Sequence, residues 1–291
     1  MIRDSGFEIE ETGLKRKDMH IIEEWIQLGL TIAREAGGLI AERYNTSFTV
    51  SRKGAINLVT EVDLAAEELL VRRIRKEFPS HAILAEERHS DTPRDAVCWI
   101  IDPLDGTTNF AHGYPAFAVS IGLEIDGEVE WGAVFDPLRK EMYTARRGQG
   151  AFCNEVALHV SDVAALGESL LATGFPYDIR TSEENNLANF CAFALRCHGI
   201  RRSGSAALDL CNVAAGRLDG FWESKLNPWD CAAGYLLVRE AGGRVTNYRG
   251  DHGSIYEREV VASNGRIHEE ILSVLSAVAK KNEDSKTVIR N

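Results

Sequence analysis

The sequence predicts an α+β protein, and three observations carry that reading. Two helical periodicities fill the chain up to Phe78; short β-rich runs then follow one another to about residue 145; from Ser161 onward helical and strand patterns alternate. Strands joined without intervening helices imply an antiparallel sheet in the first half. The 291 residues are 44% hydrophobic and 26% charged, the balance of a soluble globular protein. With 25 Gly and 7 Pro the chain is no collagen, and it is too apolar to be disordered. At this length roughly 75% of the unfolded surface is buried on folding, so no covalent staple is needed.

Residues 1–17 are polar and unpatterned and are expected to form a flexible N-terminal extension. A helix is expected from Asp18 to Tyr44, because Ile21, Trp25, Leu28, Ile32, Ala36 and Leu39 recur at helical spacing. A second helix follows Thr60, with Leu64, Leu70, Val71, Ile74 and Phe78 on one face and Pro79 beyond it. Strands are expected at Ala82–Leu84, Val97–Ile101, Ala116–Ile125, Val129–Phe135 and Glu141–Ala145, with Asp126-Gly127 as a hairpin turn. Beyond Ser161, helices are expected at Asn186–Arg196, Ser205–Arg217 and Pro228–Ala241. Strands are expected at Ser169–Thr173, Gly199–Arg202, Asp219–Glu223, Gly243–Asn247 and Val260–Ala262. The expected organisation is one α+β lobe over 18–160, a second lobe over 161–279 and a flexible tail over 280–291.

The net charge of −11 argues against a general nucleic-acid binder, since phosphate backbones are held by clustered Lys and Arg. It leaves room for an anionic substrate if a cation stands between the two. No apolar run approaches a membrane span, and the first twenty residues carry five acids, which is not a secretory signal. The six cysteines form no Cys-x-x-Cys pair and read as small buried hydrophobes of a reducing compartment, so the chain is placed in the cytoplasm. The eight histidines have no zinc-ligand spacing. Walker, Gly-x-Gly-x-x-Gly, His-Glu-x-x-His and Gly-x-Ser-x-Gly motifs are all missing from the sequence.

What remains is carboxylate chemistry. An apolar run ends in Asp102-Pro103-Leu104-Asp105-Gly106-Thr107-Thr108. Pro103 withholds a ladder donor, so the two acids and the Leu104 carbonyl can turn to one side, a donor set that suits Mg²⁺. The amides after Asp105 can open a short helix aimed at an anion. The same pattern also serves as a plain Asp turn between strands. Glu86-Glu87 ends another apolar run and reads equally well as a solvated pair. Asp63 follows Thr60 in a capping box, and Asp230 sits behind Asn227 and Pro228 as a first-turn acid. Each of these acids has a structural explanation of its own.

Two motifs together point to a family. Trp99 to Phe110 resembles the first signature of the inositol monophosphatase family, matching Asp-Pro-Leu-Asp-Gly-Thr-Thr-Asn-Phe at every position. Trp229-Asp230-Cys231-Ala232-Ala233-Gly234, followed by Glu240-Ala241-Gly242-Gly243, resembles the second, and the similarity spans about residues 20–275. Asn57-Leu58-Val59-Thr60, Asp63 and Glu86-Glu87 fit upstream. Two departures are visible: Ala85 stands where many members have Gly, adding a Cβ next to Glu86, and residues 1–17 exceed the usual start.

The resemblance implies a layered αβαβα sandwich of the sugar-phosphatase type, a homodimer and sensitivity to Li⁺. It implies Glu86, Asp102, Asp105, Asp230 and the Leu104 carbonyl as ligands of two or three Mg²⁺. Asp63 and Thr107 would position the attacking water, with Glu86 also in the catalytic set. Gly106 and Thr107 would donate backbone N–H groups to the phosphate. Ser205, Ala206, Asp105 and Glu223 would face the substrate's ring. The implied reaction is hydrolysis of a phosphate monoester, most directly inositol monophosphate, by a water activated at the bound ions, with no covalent enzyme intermediate. Alternatives within the family are fructose 1,6-bisphosphate, a nucleotide 3′-phosphate and histidinol phosphate. A regulatory role with a protein partner, including the transcription machinery, is the alternative of a different class. The physics agrees with cations: carboxylates ~4 Å apart repel by ~1 kcal/mol per pair in water and ~4 kcal/mol at an effective dielectric of 20.

Overall fold

A computed structural model describes residues 16–52, 58–90 and 97–289. The extension expected over 1–17 falls outside these residues except for its last two, and Asn57 falls outside them as well. In order, the elements are α1 (Arg16–Arg43), β1 (Val50–Arg52), β2 (Leu58–Thr60), α2 (Glu61–Glu77), β3 (Ala82–Ala85), β4 (Val97–Asp105) and α3 (Thr107–Ala111). Then come β5 (Ala118–Ile125), β6 (Glu128–Asp136), β7 (Glu141–Arg146), β8 (Gly150–Cys153), β9 (Val156–Ala157) and β10 (Leu170–Thr173). The chain continues through α4 (Leu187–Ala194), β11 (Gly199–Arg201), α5 (Ala206–Ala214), β12 (Gly220–Ser224) and α6 (Pro228–Glu240). It ends with β13 (Arg244–Thr246), β14 (Glu259–Ser263) and α7 (His268–Ile289). The segment 280–289, expected as an unpatterned tail, continues the backbone of α7.

Seven strands form one sheet in the order β3-β4-β5-β6-β7-β8-β9, and five form a second in the order β11-β10-β12-β14-β13. The first sheet departs from the antiparallel expectation at one edge, where β3 pairs parallel to β4. The direction of a strand is set by how the chain crosses between elements, which a local periodicity reading cannot see. The Asp126-Gly127 turn joins β5 and β6 with φ of 51° and 83°, the positive pair that a two-residue hairpin demands.

Five layers follow from which faces are apolar. On β4, Trp99 and Ile101 pack with Ile32 and Leu70 of α1 and α2, while Cys98 and Ile100 join the cluster of Leu210 on α5 and Leu237 on α6. Both faces of the strand are therefore buried, which is why it reads as a continuous apolar run rather than an alternating one. Phe221 and Ala262 of the second sheet belong to that same middle cluster. On the far side, Trp222 and Val261 pack against Phe193 of α4 and Ile271 of α7. The result is an αβαβα sandwich with α5 and α6 as its central layer. Gly132 on β6 explains how α6 comes so close: a Cβ there would stand 2.7 Å from the Ala233 Cα.

The cysteines correct one expectation. Cys98, Cys211 and Cys231 are buried and Cys153 and Cys197 half-buried, but Cys191 on α4 is exposed; all six are free thiols. Among the described residues no helix is long and apolar enough to cross a membrane.

Candidate active site

The site begins at the end of β4. Asp102 pairs with Ser120 on β5 but Asp105 pairs with Ala118, so three steps along β4 oppose two along β5. This bulge falls at Pro103, the residue that has no N–H to give. It lets Asp102 and Asp105 both reach the same pocket, as do Leu104 and Thr107. Asp102 Oδ1 accepts the Leu104 N–H at 3.0 Å, which closes the turn. Gly106 follows with φ of 94°, and a Cβ there would lie 2.8 Å from the Ala116 carbonyl oxygen, so only glycine fits.

Thr107 starts α3 and its hydroxyl donates to Asp63 Oδ1 at 2.7 Å. Asp63 is fully buried on α2, and its Oδ2 accepts the Thr60 N–H at 2.8 Å and the Thr60 hydroxyl at 2.5 Å. The capping box and the site contact are thus the same carboxylate, since the cap fixes one oxygen and leaves the other for Thr107. Burial raises the Asp63 pKa, and the Thr60 and Thr107 bonds oppose that rise.

Asp230 repeats the design on α6. Its Oδ2 accepts the Asn227 N–H at 2.6 Å, and Pro228 opens the helix. Asp105 is held from the other side: its Oδ2 accepts the Ser205 hydroxyl at 2.5 Å and the Ala207 N–H at 2.8 Å at the start of α5. Asn109 adds a tie that the sequence reading missed, donating from Nδ2 to the Ala116 and Ser203 carbonyls at 2.7 and 2.8 Å. It joins α3 to the loop that carries Ser205.

Glu86, Asp102, Leu104, Asp105, Gly106, Thr107 and Asp230 line one small cavity of about 190 Å³. Trp229, the first residue of the second motif, lines it too, as does Tyr177, which no local pattern marked. A larger cleft of about 750 Å³ shares Asp105, Gly106, Thr107, Tyr177 and Asp230 with it and extends past Ser205, Ala206 and Glu223. The expected residues are therefore brought together, apart from Asp63, which stands behind Thr107. Ala85 is 4% exposed and packs in the apolar cluster beneath α1 and α2, so its extra Cβ is accommodated in the core.

The electrostatics ask for a cation. Burial lifts the Asp102 pKa well above the usual carboxylate range, and the charges that raise it further are Glu86, Asp105 and Asp230. Burial also lifts Asp105, against the Ser205 and Ala207 bonds, and Asp230, against the Asn227 N–H; each feels Glu86 as a further like charge. Glu223 is raised well above its ordinary value by burial, with Arg202 opposing. Among the described residues no three His, Cys, Asp or Glu side chains are already gathered into a closed metal cage. The donors, four carboxylates with a carbonyl between two of them, are the hard oxygens that Mg²⁺ takes.

Comparison with known proteins supplies the family. Residues 21–280 match the inositol monophosphatase family. The chain belongs to the inositol monophosphatase family. An inositol-1-monophosphatase of Synechocystis sp. is 44% identical over 261 residues, 88% of this chain and 90% of that protein. The Nus factor SuhB of Escherichia coli is 46% identical over 252 residues, 85% of this chain and 94% of that one. The solved inositol monophosphatase of Anabaena (Nostoc) sp. superposes with a TM-score of 0.81 at 41% identity, covering 88% of this chain and 97% of the other. Membership in the inositol monophosphatase family supports a phosphatase, and it explains why the acids of β4, α6 and the β3–β4 connection share one cavity.

Proposed function

We propose that this protein is a Mg²⁺-dependent phosphoric monoester hydrolase acting on inositol monophosphate or a closely similar polyol phosphate. One observation carries the reading: the buried carboxylates and the Asp63–Thr107 pair meet at a small polar cavity that shares a wall with a cleft large enough for a sugar-sized ring. Glu86, Asp102, Asp105, Asp230 and the Leu104 carbonyl would hold two or three Mg²⁺. Bound there, the ions supply Lewis acidity and a lowered pKa for water.

The chain's own groups do the rest. Asp63, held on one oxygen by Thr60, accepts from the Thr107 hydroxyl, which is thereby oriented toward the cavity to hold the attacking water. Gly106 and Thr107 place backbone N–H groups at the start of α3, where the phosphoryl oxygens gather charge in the transition state. The Glu223 carboxylate on β12 faces the cleft and accepts no hydrogen bond from the described side chains, which suits it to accept from a ring hydroxyl. Ser205 and Ala206 complete that wall.

Phosphate release from inositol monophosphate, fructose 1,6-bisphosphate, a nucleotide 3′-phosphate and histidinol phosphate, with Mg²⁺ titrated from zero, tests the proposal. Turnover of the inositol ester that rises from nil with Mg²⁺ and falls with Li⁺ is the expected result; release independent of Mg²⁺ would overturn it. A homodimer belongs to the same reading, and Leu187 and Leu195 at the two ends of α4, 46% and 85% exposed, are apolar surface that a second copy can cover. The six free thiols agree with a cytoplasmic location.

A second reading has its own support, because relatives at 46% identity are Nus factors. A protein-binding role would leave the ligand set without a task. Pull-down of RNA polymerase together with growth rescue by Asp102→Asn would favour it.

A further inference from the structure

One turn beyond Asp63, on the same face of α2, lies a second buried acid. Glu67 is 1% exposed, and a carboxylate so placed is costly unless donors meet its oxygens. Three do, all from one short turn. The Glu87 N–H donates to Oε2 at 2.7 Å, the Arg88 N–H donates to Oε1 at 2.8 Å, and His89 Nδ1 lies 2.7 Å from Oε1. The turn closes on itself where the Ala85 N–H donates to the His89 carbonyl at 2.6 Å and Leu84 bridges Ser90. Two successive amides facing one anion form a backbone concavity of the kind that grips carboxylate or phosphate.

The residue at the front of that turn is Glu86. Its own N–H donates to the Ile101 carbonyl at 3.2 Å, one residue before Asp102. Glu86 is therefore clamped on both sides: by β4 through its own amide, and by α2 through the next two. The clamp sets where the Glu86 carboxylate stands relative to Asp102. Asp63 and Glu67, spaced four apart on α2, thus hold two different parts of one site, the start of α3 and the turn that carries Glu86.

We propose that Glu67 is a positioning residue that sets the affinity of the site for its divalent cation by fixing Glu86. This rests on the reading that Glu86 helps hold Mg²⁺. Groups that orient a ligating carboxylate through hydrogen bonds are typically worth about 10- to 100-fold in metal affinity. Glu67 itself lines neither the small cavity nor the cleft.

The test uses the full chain and Mg²⁺ alone as probe. Mg²⁺ binding is measured by calorimetry, and the melting temperature is followed as MgCl₂ is raised, for wild type, Glu67→Gln and Glu67→Asp. Gln keeps the size but turns an amino group toward a turn made of donors; Asp keeps the charge but cannot span both amides. Glu67→Gln is expected to bind Mg²⁺ at least about 10-fold more weakly. Its phosphate release from inositol monophosphate is expected to need correspondingly more Mg²⁺ and to recover at saturation to within about threefold of wild type. A staple that served only the fold would lower the melting temperature and leave Mg²⁺ affinity unchanged. Mg²⁺ affinity within twofold of wild type, in a Glu67→Gln protein of native circular dichroism, overturns the inference. If Glu67→Gln does not fold, Glu67→Asp carries the same criterion. A wild type that binds no Mg²⁺ overturns the underlying reading instead, so the two failures are distinct.

Discussion

Replacing Thr107 with Val removes one hydroxyl and keeps the shape, and the structure says what that hydroxyl is worth. It is 2.7 Å from Asp63 Oδ1 and 3.1 Å from the Leu104 carbonyl. With one proton to give, it serves the shorter contact to the charged acceptor. In Thr107→Val that oxygen faces a methyl group at a residue with no exposed surface. Leaving a buried charged acceptor short of its donor costs about 1.5–3 kcal/mol. At roughly 2–4 °C per kcal/mol for a chain approaching this size, the melting temperature should fall by about 3–12 °C. Turnover should fall further than stability, by about 10²–10⁴-fold, if the pair positions the attacking water. KM should change little, because the ring contacts lie elsewhere in the cleft. Phosphate release from inositol monophosphate at saturating Mg²⁺, beside thermal melts, measures both, with Thr107→Ser as the control that keeps the hydroxyl. A melting temperature within 1 °C of wild type would mean the bond is not made. A lowered melting temperature with turnover within threefold would mean that the bond serves the fold alone.

Asp102→Asn should melt, without Mg²⁺, at or above the wild-type temperature, because it removes one of four mutually repelling acids. It should lose most of the Mg²⁺-induced rise, about 2.7 kcal/mol at 100 times Kd in wild type, and turnover should fall by orders of magnitude; a wild-type response to Mg²⁺ would refute the ligand assignment. His268, fully buried, has both ring nitrogens engaged, Nδ1 with Ser263 at 2.8 Å and Nε2 with Thr246 at 2.9 Å. Burial lowers its pKa to about 4. A folded pKa below the unfolded value stabilises above pH 6.5 and is lost as pH falls toward 4, so roughly 1.5 kcal/mol should disappear between pH 6.5 and 5. Urea midpoints across that range should flatten in His268→Gln relative to wild type, and an unchanged slope would remove this account. Gly132→Ala should drive a methyl into the Ala233 backbone at 2.7 Å and destabilise by about 1–3 kcal/mol; a neutral melt would show that α6 can move away from the sheet.

Much of this fold is readable because its signals are local. The Asp126-Gly127 turn, the Thr60 cap and Pro228 behind Asn227 each fix backbone within a few residues, and the structure has all three. Asp63 and Asp230 pulled the sequence reading toward helix capping, and they do cap; the cap is what aims them. The parallel β3–β4 pair was not legible, because strand direction depends on how the chain crosses between elements and not on either strand's composition. Glu67 stands beside the exposed Glu68 in the chain, and only the return of residues 87–89 gives it partners. Tyr177 and the role of Asn109 escaped for the same reason: Asn109 was part of the first motif, but its tie is to a carbonyl 94 residues away.

The central layer has a consequence for traffic through the cleft. Helices α5 and α6 pack on both sheets at once, so the halves of the molecule cannot swing apart like jaws without prying open their shared interior. If the cleft takes the phosphate ester proposed above, its entry and exit fall to the connection 174–179, which lines the cleft and carries the exposed Tyr177. A cross-link between the sheets should leave turnover alone, whereas pinning the 174–179 connection should slow it.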